Sequence, residues 1–122
     1  MGNRNCLVCG SSLSHLTELI FSADQRLIVF NGEARRLFPQ QAVVLSALFH
    51  RFGQPIQVDY LIRLVWDLDE PKNPAGFIGT LICQLRGALT DSGYYIPRAQ
   101  HGRGYESGSY TLCFDTSRVV IR

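Results

Sequence analysis

The amino-acid sequence predicts an α+β fold, with an N-terminal antiparallel sheet, three helices and a C-terminal β-hairpin. Three observations predict it: an Asn-Gly dipeptide between short apolar segments, helical spacing of apolar residues through the middle of the chain, and glycine-rich, β-rich sequence near its end. The 122 residues, 46% of them hydrophobic, suffice for one ordinary core. We therefore expect one domain over 16–114, after a lead-in over 1–15 and before a tail over 115–122.

Three short segments rich in Leu, Ile, Val or Phe open the predicted domain, at 16–21, 26–30 and 33–38. The last two are separated by Asn31 and Gly32. Asn-Gly is the strongest two-residue hairpin signal, because both turn positions need a positive φ. These segments therefore predict a small antiparallel sheet.

Helical periodicity begins after Phe38 and predicts helices from Pro39 to about Gly53, then over 59–66 and 75–89. The third helix has a stripe of apolar residues at helical spacing, which predicts its buried side. The stripe comprises Ile78, Ile82, Leu85 and Leu89. A polar loop at 67–74 separates the last two helices, so they form a predicted helix-turn-helix.

Beyond the third helix, residues 94–96 and 110–114 are predicted strands around a glycine-containing tip at 97–104. Sheet, helix, helix-turn-helix and hairpin, in this order, make the topology of a winged helix-turn-helix domain with an additional N-terminal sheet. The hairpin is the predicted wing.

Several fragments, taken in order, resemble the OmpR/PhoB-type effector domain, and especially its ToxR/CadC-like branch, as a stand-alone domain. The fragments are RLIVFNG at 26–32, RLFPQQ at 36–41, LVW at 64–66, ICQLRGALTD at 82–91 and GRGY at 102–105. The resemblance covers about 16–114. It implies a bacterial regulator that binds double-stranded DNA as a homodimer on direct-repeat half-sites, with the third helix in the major groove and the wing in the minor groove. It also implies that the 67–74 loop can contact RNA polymerase, and another regulator is a further candidate partner.

The exposed side of the third helix is predicted to hold the base-reading residues. They are Phe77, Thr80, Leu81, Gln84 and Ala88. Gln84 can present a bidentate amide to adenine, and the methyl of Thr80 can meet a thymine methyl. Phe77 and Leu81 are unexpectedly apolar for this face, which leaves two alternatives: a slightly rotated helix that buries both, or a face that binds protein.

Basic side chains on the predicted DNA side would contact the phosphate backbone and the minor groove. Residues 71–105 hold four basic residues, Lys72, Arg86, Arg98 and Arg103, against one acidic residue. Arg98, His101 and Arg103 lie on the glycine-flanked tip, which suits the negative potential of a minor groove, although a solvated hairpin is the alternative. Arg86 is expected to bridge to phosphate or to an acidic residue of its own sheet. By resemblance, Tyr105 would hydrogen-bond a phosphate, or else close the hairpin as a buried aromatic.

Cys6 and Cys9 have the two-residue spacing that lets two thiolates bind one Zn²⁺. A structural zinc needs two more ligands, and His15, Cys83 and Cys113 are candidates without a second paired spacing. Zinc, redox chemistry and plain thiols all remain open for this pair, and no other cofactor is expected.

Composition and motifs exclude several classes of protein. The net charge of +2 is far from that of a non-specific nucleic-acid coat. The sequence has no apolar run of membrane-spanning length and no export signal, so we expect a cytoplasmic protein. Catalytic motifs are absent, so we expect no enzyme. The predicted function is sequence-specific DNA-binding transcriptional regulation, and the alternative is a degenerate winged helix that binds protein.

Overall fold

The computed structural model of the chain describes residues 19–97 and 108–120. Its N-terminal sheet contains β1 (Ile20–Ser22), β2 (Leu27–Phe30) and β3 (Glu33–Arg36), which are antiparallel in that order. Asn31 and Gly32 form the β2–β3 turn with φ of 58° and 75°. The hairpin predicted from Asn-Gly is therefore confirmed.

Within the described residues, three helices follow: α1 (Pro39–His50), α2 (Val58–Trp66) and α3 (Pro74–Ala88). All three were predicted, with bounds that differ by one to three residues. α1 ends earlier than predicted because residues 51–53 form a turn, in which Gly53 has a φ of 80°.

The core lies where the three helices meet. The predicted stripe of α3 is confirmed, because Ile78, Ile82 and Leu85 are 0% exposed and Leu89 is 1% exposed. Leu45 and Leu48 of α1 and Leu61 of α2 pack with them and are also fully buried. Burial of each such side chain stabilises the fold by roughly 1.5–3 kcal/mol. The tight core fixes which side of α3 faces outward.

Two antiparallel strand pairs complete the described fold, and one of them includes β4 between α1 and α2. β5 (Ser92–Tyr95) pairs with β7 (Cys113–Val119), and β4 (Ile56–Gln57) pairs with β6 (Ser109–Tyr110). Two-residue strands such as β4 have no detectable period in a sequence. The β5–β7 pair has a register shift at Gly93, whose φ is 90° and whose missing Cβ leaves room for Phe114 and Val119.

The last strand extends further than predicted. β7 continues to Val119, so the predicted domain end at 114 falls inside a strand. Residues 115–118 are polar and mostly solvent-exposed, so their sequence pattern predicts a tail. Hydrogen bonds from the backbone and hydroxyl of Ser117 hold the pKa of Asp115 below its ordinary value.

Hydrogen bonds from Arg35 and Asn31 attach the N-terminal sheet to the rest of the domain. Arg35 donates to the Ala88 carbonyl at 2.6 Å, at the C-terminal end of α3, where a cation is favourable. Asn31 Nδ2 donates to the Val120 carbonyl at 2.9 Å. The protein thus has an α+β winged-helix layout with antiparallel sheets and a C-terminal strand pair. None of the described helices is long and apolar enough to cross a membrane.

Candidate nucleic-acid interface

The helix-turn-helix is held by contacts at both ends of its turn. Asn73 precedes α3, and its Oδ1 accepts a hydrogen bond from the Gly76 N–H at 3.3 Å. A Cβ at position 76 would overlap the Asn73 side chain, so a larger residue there would displace this cap. The rings of Trp66, at the end of α2, and Phe77, in the first turn of α3, meet edge to face at 6.0 Å. These contacts set the orientation of α3 relative to α2.

The exposed side of α3 carries small or uncharged side chains. The exposed residues are Ala75, Gly76, Phe77, Thr80, Cys83, Gln84 and Gly87. All fifteen residues of α3 are described, and Arg86 is its one charged residue. We call the set of seven exposed residues the outer face. The absence of long side chains over most of it would let the helix backbone come close to a bound surface.

The outer face differs from the prediction at Leu81, whose side chain is only 8% exposed and belongs to the core. The predicted exposure of Leu81 is wrong because the buried arc of α3, which packs against both α1 and α2, is wider than one stripe of four residues. Ala88 is likewise half-buried. Phe77 is 52% exposed. A rotated helix therefore accounts for Leu81 but not for Phe77.

Gln84 is oriented by the N-terminus of α1. Gln41 Nε2 donates to Gln84 Oε1 at 2.7 Å, and Gln41 Oε1 accepts the Phe38 N–H at 2.8 Å. The Gln84 oxygen keeps a second lone pair, and its amide group keeps its two N–H donors. The 43-residue separation of the two glutamines hides this contact from the sequence.

The hydroxyl hydrogen of Thr80 is already used in a hydrogen bond within α3. Its hydroxyl donates to the Gly76 carbonyl at 3.2 Å, one turn back along α3. The oxygen lone pairs and the methyl group remain available at the outer face. Thr80 could therefore accept a hydrogen bond or contact an apolar group, rather than donate.

Arg86 joins α3 to the base of the predicted wing. Its Nε donates to the Ile96 carbonyl at 2.7 Å, and its Nη2 donates to the Pro97 carbonyl at 3.1 Å. These backbone carbonyls are neither of the two partners expected from the sequence, which were phosphate and an acidic side chain. Arg86 therefore fixes the chain entering the wing tip relative to α3. The tip residues Arg98, His101, Arg103 and Tyr105 lie outside the described residues.

Charge near the outer face is mixed. Lys72 is exposed in the α2–α3 loop, but Asp67, Asp69 and Glu70 precede it in the same loop. A cation that the sequence analysis missed is Arg118 of β7, whose guanidinium stacks on the Tyr95 ring at 3.8 Å. It lines one cleft together with Arg86, Pro97 and the acidic Asp91. The polar sequence at 115–118 has no apolar alternation and predicts a tail, which hides Arg118.

Of the five candidate zinc ligands, Cys83 and Cys113 lie within the described residues. Cys83 and Cys113 are free thiols, and the described part of the chain contains no cluster of three or more His, Cys, Asp or Glu that could hold a metal ion. Cys6, Cys9 and His15 lie outside the described residues.

Comparison with known proteins shows a partial similarity to a transcriptional regulatory protein. The chain is 33% identical over 55 residues to the transcriptional regulatory protein MoaR1 of Mycobacterium bovis and of Mycobacterium tuberculosis. The match spans 45% of this chain but 18% of each relative. No family model matches the chain, and the OmpR/PhoB resemblance stays a prediction. The chain is thus similar to one segment of a mycobacterial transcriptional regulatory protein.

Proposed function

We propose that this protein is a sequence-specific DNA-binding transcriptional regulator, not an enzyme, that acts on double-stranded DNA in the bacterial cytoplasm. The orientation of Gln84 carries the proposal. Gln84 lies on the exposed side of α3 and is held by the Gln41 side chain, and a glutamine held in this way is suited to reading a base edge. The similarity to a transcriptional regulatory protein supports the regulatory role.

Base reading would use Gln84 and Thr80 on the outer face. The second lone pair of Gln84 Oε1 would accept from adenine N6, while Nε2 would donate to N7. Thr80 would offer its methyl group to a neighbouring thymine. Because Gln41 already restrains Gln84, less conformational entropy is lost when the base binds.

Affinity would come from residues around the outer face, since that face itself is uncharged. Lys72 and Arg118 are the exposed cations that we assign to phosphate contacts. Arg98, His101 and Arg103 of the wing tip would enter the minor groove, and Tyr105 would bind a phosphate. The contact of the 67–74 loop with RNA polymerase remains a prediction from the resemblance.

The test is selection of bound sequences from a random duplex pool, followed by anisotropy titration of the enriched duplex. Gln84→Ala should weaken binding to that duplex by about 5- to 100-fold, the cost of one bidentate base contact, and leave binding to a scrambled duplex unchanged. Gln54→Ala is the matched control, because Gln54 is exposed in the turn after α1. No sequence enrichment, or equal effects of the two substitutions, would contradict the proposal.

A second candidate function is binding to another protein through the outer face. The half-exposed Phe77 and the absence of charge favour it. Salt distinguishes the two functions: retention on heparin that falls steeply with NaCl supports DNA binding, whereas association with a partner protein that is insensitive to salt supports the second function.

A further inference from the structure

A groove away from the outer face lies between α1, α2 and the β1–β2 turn. It measures about 520 Å³, and Val43, Ala47 and Leu64 form part of its apolar wall. Arg26 and Arg51 also line it, and none of its described lining residues is a carboxylate. No residue of α3 lines it.

The wall of the groove exposes large apolar side chains. Val43 is 38% exposed, and Tyr60 and Leu64, one turn apart on α2, are each 42% exposed. Clustered apolar exposure is typical of surfaces that bind another molecule. The lining predicts an occupant with an apolar tip and negative charge.

The chain itself carries a segment with those properties. Leu68, just beyond α2, is 93% exposed, and Asp67, Asp69 and Glu70 flank it. This segment follows the C-terminal end of α2. At the other end of α2, Arg51 lies over the Tyr60 ring at 4.9 Å. The first turn of α2 also holds Asp59, and its last turn holds Arg63. Arg26 and Arg51, which line the groove, outnumber Asp59 at one end, and the three acidic residues outnumber Arg63 at the other, so the two ends carry opposite net charge.

We propose that two copies of the chain pair through this groove, with their α2 helices antiparallel about a two-fold axis. The two-fold axis places the acidic segment of each copy beside Arg51 of its partner, and Leu68 of each copy against the other's groove. A closed pair requires a self-complementary surface, which this charge order provides. The pairing goes beyond the proposed function and does not require DNA. Its two-fold symmetry differs from the head-to-tail arrangement that direct-repeat half-sites would impose.

Sedimentation equilibrium of DNA-free protein tests the pairing. Wild-type protein should show a monomer–dimer equilibrium. Arg51→Glu and Asp69→Arg should each weaken dimerisation by about tenfold or more, because each places two like-charged pairs in the dimer. An equimolar mixture of the two variants should dimerise like wild type, since both pairs in the mixed dimer are then opposite in charge. Arg36→Glu is the matched control, because it reverses a charge on β3 outside the groove.

Several results would overturn the pairing. The first is a wild-type protein that stays monomeric at every concentration up to about 1 mM. The second is an equal loss of dimerisation in Arg51→Glu and Arg36→Glu. The third is a mixture of Arg51→Glu and Asp69→Arg that assembles beyond dimers. Leu68→Ala gives an independent check, because a side chain so exposed contributes little to the fold. Its unfolding transition should match wild type while dimerisation weakens, and unchanged dimerisation would contradict the proposal. None of these results depends on whether the protein binds DNA.

Discussion

The two sides of α3 differ in what they contribute. Ile78, Ile82 and Leu85 on the inner side are fully buried and hold the three helices together. Thr80 and Gln84 on the outer face are exposed and contribute little to the core. Neither side supplies a free cationic surface, since Arg86 is engaged with backbone carbonyls. The comparison indicates that α3 would supply base recognition, while the attraction to phosphate would come from neighbouring elements.

The largest expected effect is a difference in unfolding free energy between substitutions on the inner side and on the outer face of α3. Ile82→Ala should lower the free energy of unfolding by about 2–5 kcal/mol, because it leaves a cavity among the helices. Thr80→Ala, its matched control on the outer face, should change it by less than about 1 kcal/mol. Urea unfolding measures both. Equal losses would mean that the outer face is also part of the core.

The next effect concerns the attachment of the wing base to α3. Arg86→Ala should lower the free energy of unfolding by about 1.5–3 kcal/mol. The half-buried guanidinium donates to two carbonyls, one of them on the buried Ile96. Hydrogen exchange of the β5 amides should accelerate at the same time. Arg36→Ala, an exposed arginine of β3, should change neither quantity. An unchanged β5 exchange rate in Arg86→Ala would show that the contact does not anchor the wing.

A smaller effect should separate phosphate attraction from base reading. Replacing Arg98 and Arg103 together by alanine should weaken binding to all duplexes alike. It should also reduce the slope of log binding constant against log NaCl concentration by about two. Gln84→Ala should leave the slope unchanged. Anisotropy titrations at several NaCl concentrations measure the slopes. A wing variant that loses sequence discrimination with an unchanged slope would reverse this division of roles.

The smallest effect tests the restraint on Gln84. Gln41→Glu keeps an oxygen that accepts the Phe38 N–H. It replaces the Nε2 donor to Gln84 Oε1 by a carboxylate oxygen, which repels that acceptor. Stability should therefore stay within about 1 kcal/mol of wild type, while affinity for the selected duplex falls by roughly fivefold, about 1 kcal/mol. Gln40→Ala, an exposed neighbour in α1, controls for changes at the helix N-terminus. Unchanged affinity in Gln41→Glu would contradict the proposed restraint.

Local patterns predicted the fold well, because periodicity and turn residues act over short distances. Asn31 and Gly32 specified a hairpin, and the stripe from Ile78 to Leu89 specified the inner side of α3. The contacts of Gln84 and Arg86 could not be predicted, since both partners are set by tertiary packing. The burial of Leu81 depends in the same way on how α1 and α2 flank α3.

The most direct test of α3 as a DNA-reading helix is the alkylation rate of Cys83, which is exposed at the middle of the outer face. The protein would carry serine at the other three cysteines, and a maleimide would be added with and without the selected duplex. DNA should slow alkylation of Cys83 in proportion to the fraction bound, and should not slow alkylation of a control thiol introduced as Gln54→Cys in a Cys83→Ser background. Equal alkylation of Cys83 in the free and the DNA-bound protein would contradict the placement of α3 against DNA.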